Sequence, residues 1–276
     1  MPIALSRRRF LRNAAAVLPA GMSAFVTEPA TAQTASVEVN ARPIQSFDPR
    51  DPSHNRYGSL EFRSGLILTS PFRGFGGLSA LRLDKKGEQF TALSDKGNWF
   101  TGRLVYKGKR LVGLADVKSA PMLDSNGRKI TAKGWFDTES LAFDGMTAYV
   151  GLERVNQILR FDFSKGGIRS RGEVVPVPEG VSKLPFNKGL ETLVFVPKGQ
   201  PLAGTLIAIS EAGLDAAGNI QGFLIGGPSP GQFTVARTKK FDISDAVLLP
   251  SGDLLLLERK FSLLEGVGIR IRRIPI

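Results

Sequence analysis

Apolar and polar residues alternate along most of the chain after residue 58, with the period of two that is typical of strands having one buried face. In residues 157–163, for example, Arg160 and Asp162 alternate with leucine and phenylalanine. Such segments are separated by pairs that favour tight turns: Asp144-Gly145, Asn126-Gly127 and Ser251-Gly252. No segment from residue 33 onwards has a sustained helical period with caps at both ends. The pattern predicts an all-β protein.

The same outline recurs four times between residues 77 and 274. Each repeat has an opening segment with a polar residue near its centre, then a strand that ends in an acidic residue, then a third strand. The polar residues of the openings are 60, 52 and 54 residues apart: Ser79, Glu139, Glu191 and Asp245. The second strands end at Asp95, Glu153, Glu211 and Glu258. The third strands are predicted at residues 99–106, 157–163, 220–225 and 268–274.

A repeat of this length holding three or four strands is typical of the blade of a β-propeller, in which blades stack around a central channel. The sequence therefore predicts a β-propeller over residues 59–276, with four recognisable blades. A β-sandwich also fits the alternation and the turns. The sandwich gives no reason for an acidic residue to recur at one place in each repeat, so the propeller is favoured.

Equivalent positions of the inner strands meet at one mouth of the channel, so the recurring acids are expected to form a ring there. The predicted metal ligands are Glu139, Glu191, Asp245, Asp95, Glu153, Glu211 and Glu258. A ring of carboxylates repels itself unless it is protonated or binds a cation, and oxygen ligands without His or Cys favour Ca²⁺. Lys96, Arg154 and Arg259 each follow one of these acids and are predicted to bind an anionic substrate. The alternative, above all for the acids at strand ends, is that they only cap turns.

Composition narrows the chemistry further. The chain of 276 residues has no cysteine and a single histidine, His54, which excludes disulfides, thiolate metal sites and a cysteine nucleophile. A triad of Ser53, His54 and Asp51 is disfavoured because no Gly-x-Ser-x-Gly segment occurs. The net charge of +12 is dispersed along the chain, so a small anionic substrate is expected and nucleic acid is not.

The first residues have the features of an export signal. Residues 6–12, Ser-Arg-Arg-Arg-Phe-Leu-Arg, form a twin-arginine motif, an Ala-rich segment follows, and Ala30-Thr31-Ala32 suits signal peptidase. Residues 1–32 are therefore predicted to be a signal peptide that engages the twin-arginine translocase, and residues 33–58 a linker or loosely docked arm. No other apolar run is long enough to span a membrane. The sequence predicts a periplasmic location.

Five segments together resemble the family called esterase-like activity of phytase: residues 76–81, 92–97, 137–143, 189–193 and 257–262. The resemblance spans residues 60–274 and implies an exported propeller of five or six blades that hydrolyses an ester or phosphoester. It supplies no set of catalytic residues. Since the chain stops at Ile276, after the third strand of the fourth repeat, closure of the ring by pairing residues 60–68 with the last blade is in question. Either the ring is smaller, or an edge stays open and a partner covers it.

Two functions from different classes follow from these observations. The first is a calcium-assisted hydrolase of a small phosphoester or ester, with the carboxylate ring holding Ca²⁺. A lactone hydrolase of the gluconolactonase type is a nearby enzyme alternative. The second is a non-catalytic propeller of the cell envelope that binds a ligand or a protein.

Overall fold

The computed structural model describes residues 33–264 and 266–276, so the predicted signal peptide lies outside the described residues. The N-terminal region has five short strands: β1 (Ala35–Ser36), β2 (Asn40–Ile44), β3 (Arg56–Tyr57), β4 (Leu60–Glu61) and β5 (Gly65–Thr69). Two small antiparallel sheets form here, β2 with β5 and β3 with β4. The predicted arm thus contains paired strands. Pairing of residues 60–68 with the last blade is not what the structure has, because β4 and β5 pair within the N-terminal region.

Four antiparallel sheets follow, one for each predicted repeat. Blade 1 consists of β6 (Leu78–Leu83), β7 (Gln89–Ser94), β8 (Asn98–Lys107) and β9 (Arg110–Pro121), with β1 added beside β9. Blade 2 consists of β10 (Thr138–Asp144), β11 (Thr147–Leu152), β12 (Gln157–Asp162) and β13 (Gly172–Val175). Blade 3 consists of β14 (Leu190–Phe195), β15 (Thr205–Leu214), β16 (Ile220–Gly226) and β17 (Gly231–Val235). Blade 4 consists of β18 (Asp242–Leu248), β19 (Leu254–Ser262) and β20 (Gly266–Ile274).

Within residues 33–264 and 266–276, helical structure is confined to single turns. One short α-helix, α1, spans Glu179–Ser182. The 3₁₀ turns are Ile130–Lys133, Glu153–Val155, Phe163–Lys165 and Gly167–Arg169. Within the described residues, no helix has the length and apolar character that a membrane crossing requires.

The hydrophobic core is divided among the interfaces between successive blades. Blades 1 and 2 bury Trp99 against Phe161, with their rings edge to face at 5.1 Å. Blades 2 and 3 bury Leu190 and other apolar side chains, and blades 3 and 4 bury a third cluster around Leu254. Since both faces of a middle blade are covered, its strands are apolar on both sides. The four-bladed, all-β propeller arrangement predicted from the sequence is confirmed, and the sandwich is not observed.

The outward face of blade 1 is covered by other residues of the chain, whereas that of blade 4 is exposed. The outer face of blade 1 packs against Val37, Phe72 and Phe75 from the N-terminal region. On blade 4 the corresponding face is open, and Val267 and Ile269 are 68% and 70% exposed. Among the described residues, no strand pairing joins blade 1 to blade 4. A cleft lies between these two blades.

Candidate functional site

Each inner strand carries a β-bulge at an equivalent place. In β6, Leu78 pairs with Ser94 and Ala80 pairs with Leu93, which leaves Ser79 out of the ladder. The pairing of β10, β14 and β18 skips one residue in the same way. A bulge leaves its extra residue unpaired and re-aims the side chain. The four bulge residues, all of which line the cleft between blades 1 and 4, are Ser79, Glu139, Glu191 and Ser244.

The register corrects the predicted alignment of the fourth repeat by one residue. Ile243 pairs with Glu258 and Asp245 pairs with Leu257, so Ser244 and not Asp245 is the bulge residue. The same one-residue shift applies to the second strand of blade 4, β19. There Arg259, and not Glu258, is equivalent to the strand-end acids of the other three blades. The residues at these strand-end positions are Asp95, Glu153, Glu211 and Arg259.

The Asp245 carboxylate lines the cleft but is held by an arginine from blade 1. Arg82 Nη1 and Nη2 donate to its two oxygens over 2.7 and 2.8 Å. Nη2 also donates to the carbonyls of Leu193 and Ala246, at 3.3 Å each. Asp245, which the sequence predicted as a metal ligand, is thus part of a contact between blades in which both of its carboxylate oxygens accept from Arg82.

Glu258 also lies apart from the other predicted ligands. Its side chain is fully buried, and it accepts hydrogen bonds from Arg270 Nε at 2.6 Å and Arg272 Nη2 at 2.7 Å. Leu254 and Leu256, which share its face of β19, are in the core between blades 3 and 4. The structure thus places Glu258 in an ion triad inside blade 4, away from the cleft that Arg259 lines.

Three other predicted ligands converge. Carboxylate oxygens of Glu153, Glu191 and Glu211 all lie within 4.8 Å of one another, and the three residues are buried. We call these residues the glutamate trio. They come from three positions in two blades: the end of β11, the bulge of β14 and the middle of β15. Three carboxylates at this separation, with oxygen donors alone, could hold a hard divalent ion.

Gly189, just before β14, fixes the trio through its backbone. Its amide donates to Glu153 Oε1 over 3.1 Å, and its carbonyl accepts from the amides of Glu191 at 3.0 Å and Glu211 at 2.8 Å. A Cβ at this position would lie 2.3 Å from Asn156 Oδ1 and 3.1 Å from Glu153 Cγ. Only glycine therefore allows the close approach that brings the three acids together.

Burial and mutual repulsion change how these acids bind protons. Burial, followed by the charges of Glu139, Glu153 and Glu211, raises the pKa of Glu191 to about 8. Burial and the neighbouring acids Glu153, Asp137 and Asp95 raise the pKa of Glu139 to about 7. A carboxyl group in such a place is either protonated near neutral pH or compensated by a cation.

Glu211 is the exception in the trio because it is already paired. Burial raises its pKa, but hydrogen bonds from Lys188 Nζ at 2.8 Å and Arg259 Nη2 at 2.9 Å outweigh that effect, so the net direction is downward. The same Arg259 nitrogen is 3.8 Å from Glu191 Oε1. Lys188 was not predicted as a site residue, although it immediately precedes the Gly-Leu-Glu segment of the third repeat.

The family can now be stated, since the match covers the blades that carry this site. Residues 73–276 match the Phytase-like family, described as "Esterase-like activity of phytase". The chain belongs to this family. Among curated proteins, no sequence matches it.

Solved structures similar to this phytase-like chain are distant. One is dihydro-heme d1 dehydrogenase NirN in complex with DHE, with 14% identity and a TM-score of 0.37 over 72% of this chain. Another is the β-propeller domain of Cps50 (Swd1) from Myceliophteria thermophila, with 14% identity and a TM-score of 0.36 over 72% of this chain. The chain spans 37% and 56% of their respective lengths.

The remaining predicted ligand, Asp95, lines the cleft beside Gly77. Its Oδ1 atom is buried and has no hydrogen-bond partner among the described residues. A Cβ on Gly77, whose φ is +58°, would lie 2.3 Å from that oxygen. Backbone hydrogen bonds connect Asp95 to Glu153 through Asp137. The Asp137 amide donates to the Asp95 carbonyl, and the Glu153 amide donates to the Asp137 carbonyl. Asp137 opens the second repeat and was not predicted as a site residue.

The three predicted cations lie in different places. Arg259 lines the cleft, as described. Arg154 is exposed, with its guanidinium over the rings of Phe136 at 5.5 Å and Phe186 at 5.8 Å. Lys96 is exposed and does not line the cleft. Only Arg259 therefore adjoins both the trio and the cleft.

His54 does not form a catalytic triad with its neighbours. Its Nε2 atom lies 2.8 Å from the Arg56 carbonyl, and its ring stacks on Tyr57. The Ser53 hydroxyl donates to Asp51 instead, at 2.5 Å. All three members of the disfavoured triad are exposed in the N-terminal region.

Proposed function

We propose that the protein is a hydrolase of ester bonds, carboxylic or phosphoric, that works at the mouth of the cleft with a divalent cation, Ca²⁺. The observation that carries this proposal is that the three glutamates of the trio converge, and that one of them, Glu191, lines the cleft together with Glu139. Acids that only capped turns would each be satisfied locally, whereas Glu139 accepts no hydrogen bond from any described residue. The family description, esterase-like activity of phytase, agrees with this class of reaction.

The glutamate trio is proposed to hold the cation. All donors are carboxylate oxygens, and burial with mutual repulsion raises the pKa of both Glu191 and Glu153, which a bound cation would relieve. When bound, such an ion polarises the carbonyl or phosphoryl oxygen of a substrate and lowers the pKa of a water molecule. Calcium fits this donor set better than zinc or copper, which favour imidazole or thiolate.

Glu139 and Arg259 are proposed to act directly on the substrate. Both line the cleft beside the trio. The oxygen of a water molecule bonds to the carbonyl carbon or phosphorus, and Glu139 accepts the proton that this water loses. The ester bond to the leaving oxygen breaks, and the proton passes from Glu139 to that oxygen, giving an acid and an alcohol. The Arg259 guanidinium stabilises the negative charge that develops on the substrate.

The test measures turnover of p-nitrophenyl acetate, p-nitrophenyl butyrate and p-nitrophenyl phosphate by the purified protein, with Ca²⁺ or with EGTA. Activity with Ca²⁺, and its loss with EGTA, are expected. Glu139→Gln is expected to lower kcat by about 10²-fold or more, since it removes the base. Glu179→Gln is the matched control, because this glutamate is exposed and paired only with Lys183.

Background rates for all three substrates in every condition would reject the hydrolase. Saturable Ca²⁺ binding without turnover would favour the non-catalytic binding propeller. Equal kcat for the Glu139→Gln variant and the control would reject the role of Glu139 while leaving the reaction class in place.

A periplasmic location is part of the same proposal and rests on the twin-arginine motif of residues 6–12. The test fuses residues 1–32 to a reporter enzyme that works only after export in the folded state. Export is expected, and replacing Arg7 and Arg8 by lysine is expected to abolish it. Export that survives this double replacement would reject the twin-arginine route.

A further inference from the structure

The cleft is too large and too apolar to serve only the carboxylates at its mouth. It has a volume of about 650 Å³ and runs from Glu139, Glu191 and Arg259 along the outer face of blade 1. Half of its lining residues are leucine or phenylalanine, among them Phe75, Leu81, Leu104, Leu114 and Leu257. Sites for small molecules are typically of this size, with apolar walls and a few polar groups that fix orientation.

The charges in the cleft argue against a polyanionic ligand. Four carboxylates line it, Asp95, Glu139, Glu191 and Asp245, against one guanidinium, that of Arg259. Arg259 is itself bonded to Glu211, and the Arg82 guanidinium outside the lining is bonded to Asp245. A ligand with several phosphates would meet like charges, and the described residues that line the cleft include no unpaired Lys or Arg to compensate them.

From the continuity of these two regions we infer the substrate class: a carboxylic ester with an apolar acyl arm, the arm lying along the leucine-lined cleft and the ester group at Glu139 and Arg259. This inference rests on the proposed function and replaces the small anionic substrate expected from the net charge. Water adds its oxygen to the ester carbonyl carbon, the bond between that carbon and the alcohol oxygen breaks, and the proton of the water passes to the alcohol. The products are an aliphatic carboxylic acid and an alcohol.

If the acyl arm lies along the cleft, kcat/KM should depend on the length of that arm. Each methylene group that is buried contributes about a fourfold gain in transition-state binding. Between acetate and hexanoate four methylene groups are added, so a rise in kcat/KM of at least about tenfold is expected even with partial burial. A site that recognised only the ester group would show no such rise.

The experiment compares p-nitrophenyl acetate, butyrate and hexanoate as substrates, with inositol hexakisphosphate as the polyanion. The purified full chain is assayed with Ca²⁺ present, and each ester is kept below its critical micelle concentration. The test variant is Leu81→Gln, since Leu81 lines the cleft but is 53% exposed, so its replacement leaves the core intact. The matched control is Leu83→Gln, on the same strand, 48% exposed and outside the cleft.

The inference predicts that kcat/KM rises from acetate to hexanoate, that Leu81→Gln removes most of this rise, and that Leu83→Gln, outside the cleft, leaves the rise as it is in the wild type. Equal rates for acetate and hexanoate would overturn the inference and leave the proposed function standing. Faster release of phosphate from inositol hexakisphosphate than of p-nitrophenol from hexanoate would also overturn it. No turnover of any ester would reject the proposed function itself.

Discussion

The Arg82 guanidinium makes two hydrogen bonds to the Asp245 carboxylate, at 2.7 and 2.8 Å, across 163 residues of sequence. Arg82 lies on the inner strand of the first blade and Asp245 on the inner strand of the last. No strand pairing joins these blades among the residues that the structure describes, so this ion pair is a direct polar connection between the two ends of the array. It connects the inner strands of the two blades that flank the cleft.

Arg82→Met is expected to destabilise the protein, because Asp245 would keep its charge in a half-buried place without its partner. The expected loss in the free energy of unfolding is about 2 kcal/mol, typical of a hydrogen-bonded charge. Urea unfolding followed by circular dichroism measures it. Arg160→Met is the control, since its partner Glu173 and Arg160 itself are exposed, and it should cost less than about 1 kcal/mol. Equal losses for both variants would contradict the connection described here.

Glu258→Gln is expected to damage stability and leave cation binding intact. The fully buried carboxylate neutralises Arg270 and Arg272, and removing its charge leaves two guanidinium groups without compensation, at a cost of about 3 kcal/mol or more. Asp253→Asn is the control, since Asp253 immediately precedes β19 and its pair with Arg273 of β20 is more exposed. Calorimetric titration with Ca²⁺ completes the test. Weakened Ca²⁺ affinity in a folded Glu258→Gln protein would place this residue back among the ligands.

Calcium is expected to raise the melting temperature of the wild-type protein and not that of Glu191→Gln. At a concentration a hundred times the Kd, a ligand that binds only the folded state stabilises it by about 2.7 kcal/mol. Thermal unfolding with EGTA and with Ca²⁺ measures the shift, and Mg²⁺ tests the selectivity of the trio. A Glu179→Gln control should respond like the wild type. If neither Ca²⁺ nor Mg²⁺ changes the melting temperature of the wild-type protein, the proposed cation site is rejected.

Without a cation, stability is expected to fall as the pH rises from about 5 to about 8. The folded-state pKa values of Glu139 and Glu191, about 7 and about 8, lie above the ordinary value of 4.5, so the folded protein binds more protons than the unfolded chain in this range. Urea unfolding in EGTA across this range measures the slope, and Glu191→Gln should flatten it. Stability that rises over the same range would contradict the direction given for both acids.

The strand order was accessible from the sequence because alternation and turn pairs are local signals. The third strands predicted at residues 157–163 and 220–225 are observed at Gln157–Asp162 and Ile220–Gly226. The recurrence of acids also identified the blades, since equivalent positions of a propeller share one environment. Glu139 and Glu191 were aligned correctly for this reason.

The fourth repeat was misaligned because two neighbouring residues, Ser244 and Asp245, both fit the pattern, and the acid was the more conspicuous. Only the strand register shows which of them is skipped. The ion-pair partners of Asp245 and Glu258 could not be predicted from the sequence either, because Arg82 comes from another blade and Arg270 from another strand. Ion pairs between segments distant in sequence leave no periodic signal, so a carboxylate that is paired looks the same as one that is free.

The bulges have a consequence for how this site can vary. Because Ser79, Glu139, Glu191 and Ser244 have no partner across the ladder, their side chains contribute little to sheet pairing, and the residues on either side keep the register. Two serines and two glutamates already occupy these places in one scaffold. Mutation at these four points can therefore change the charge and the hydrogen-bonding groups that face the cleft without changing the register of the strands.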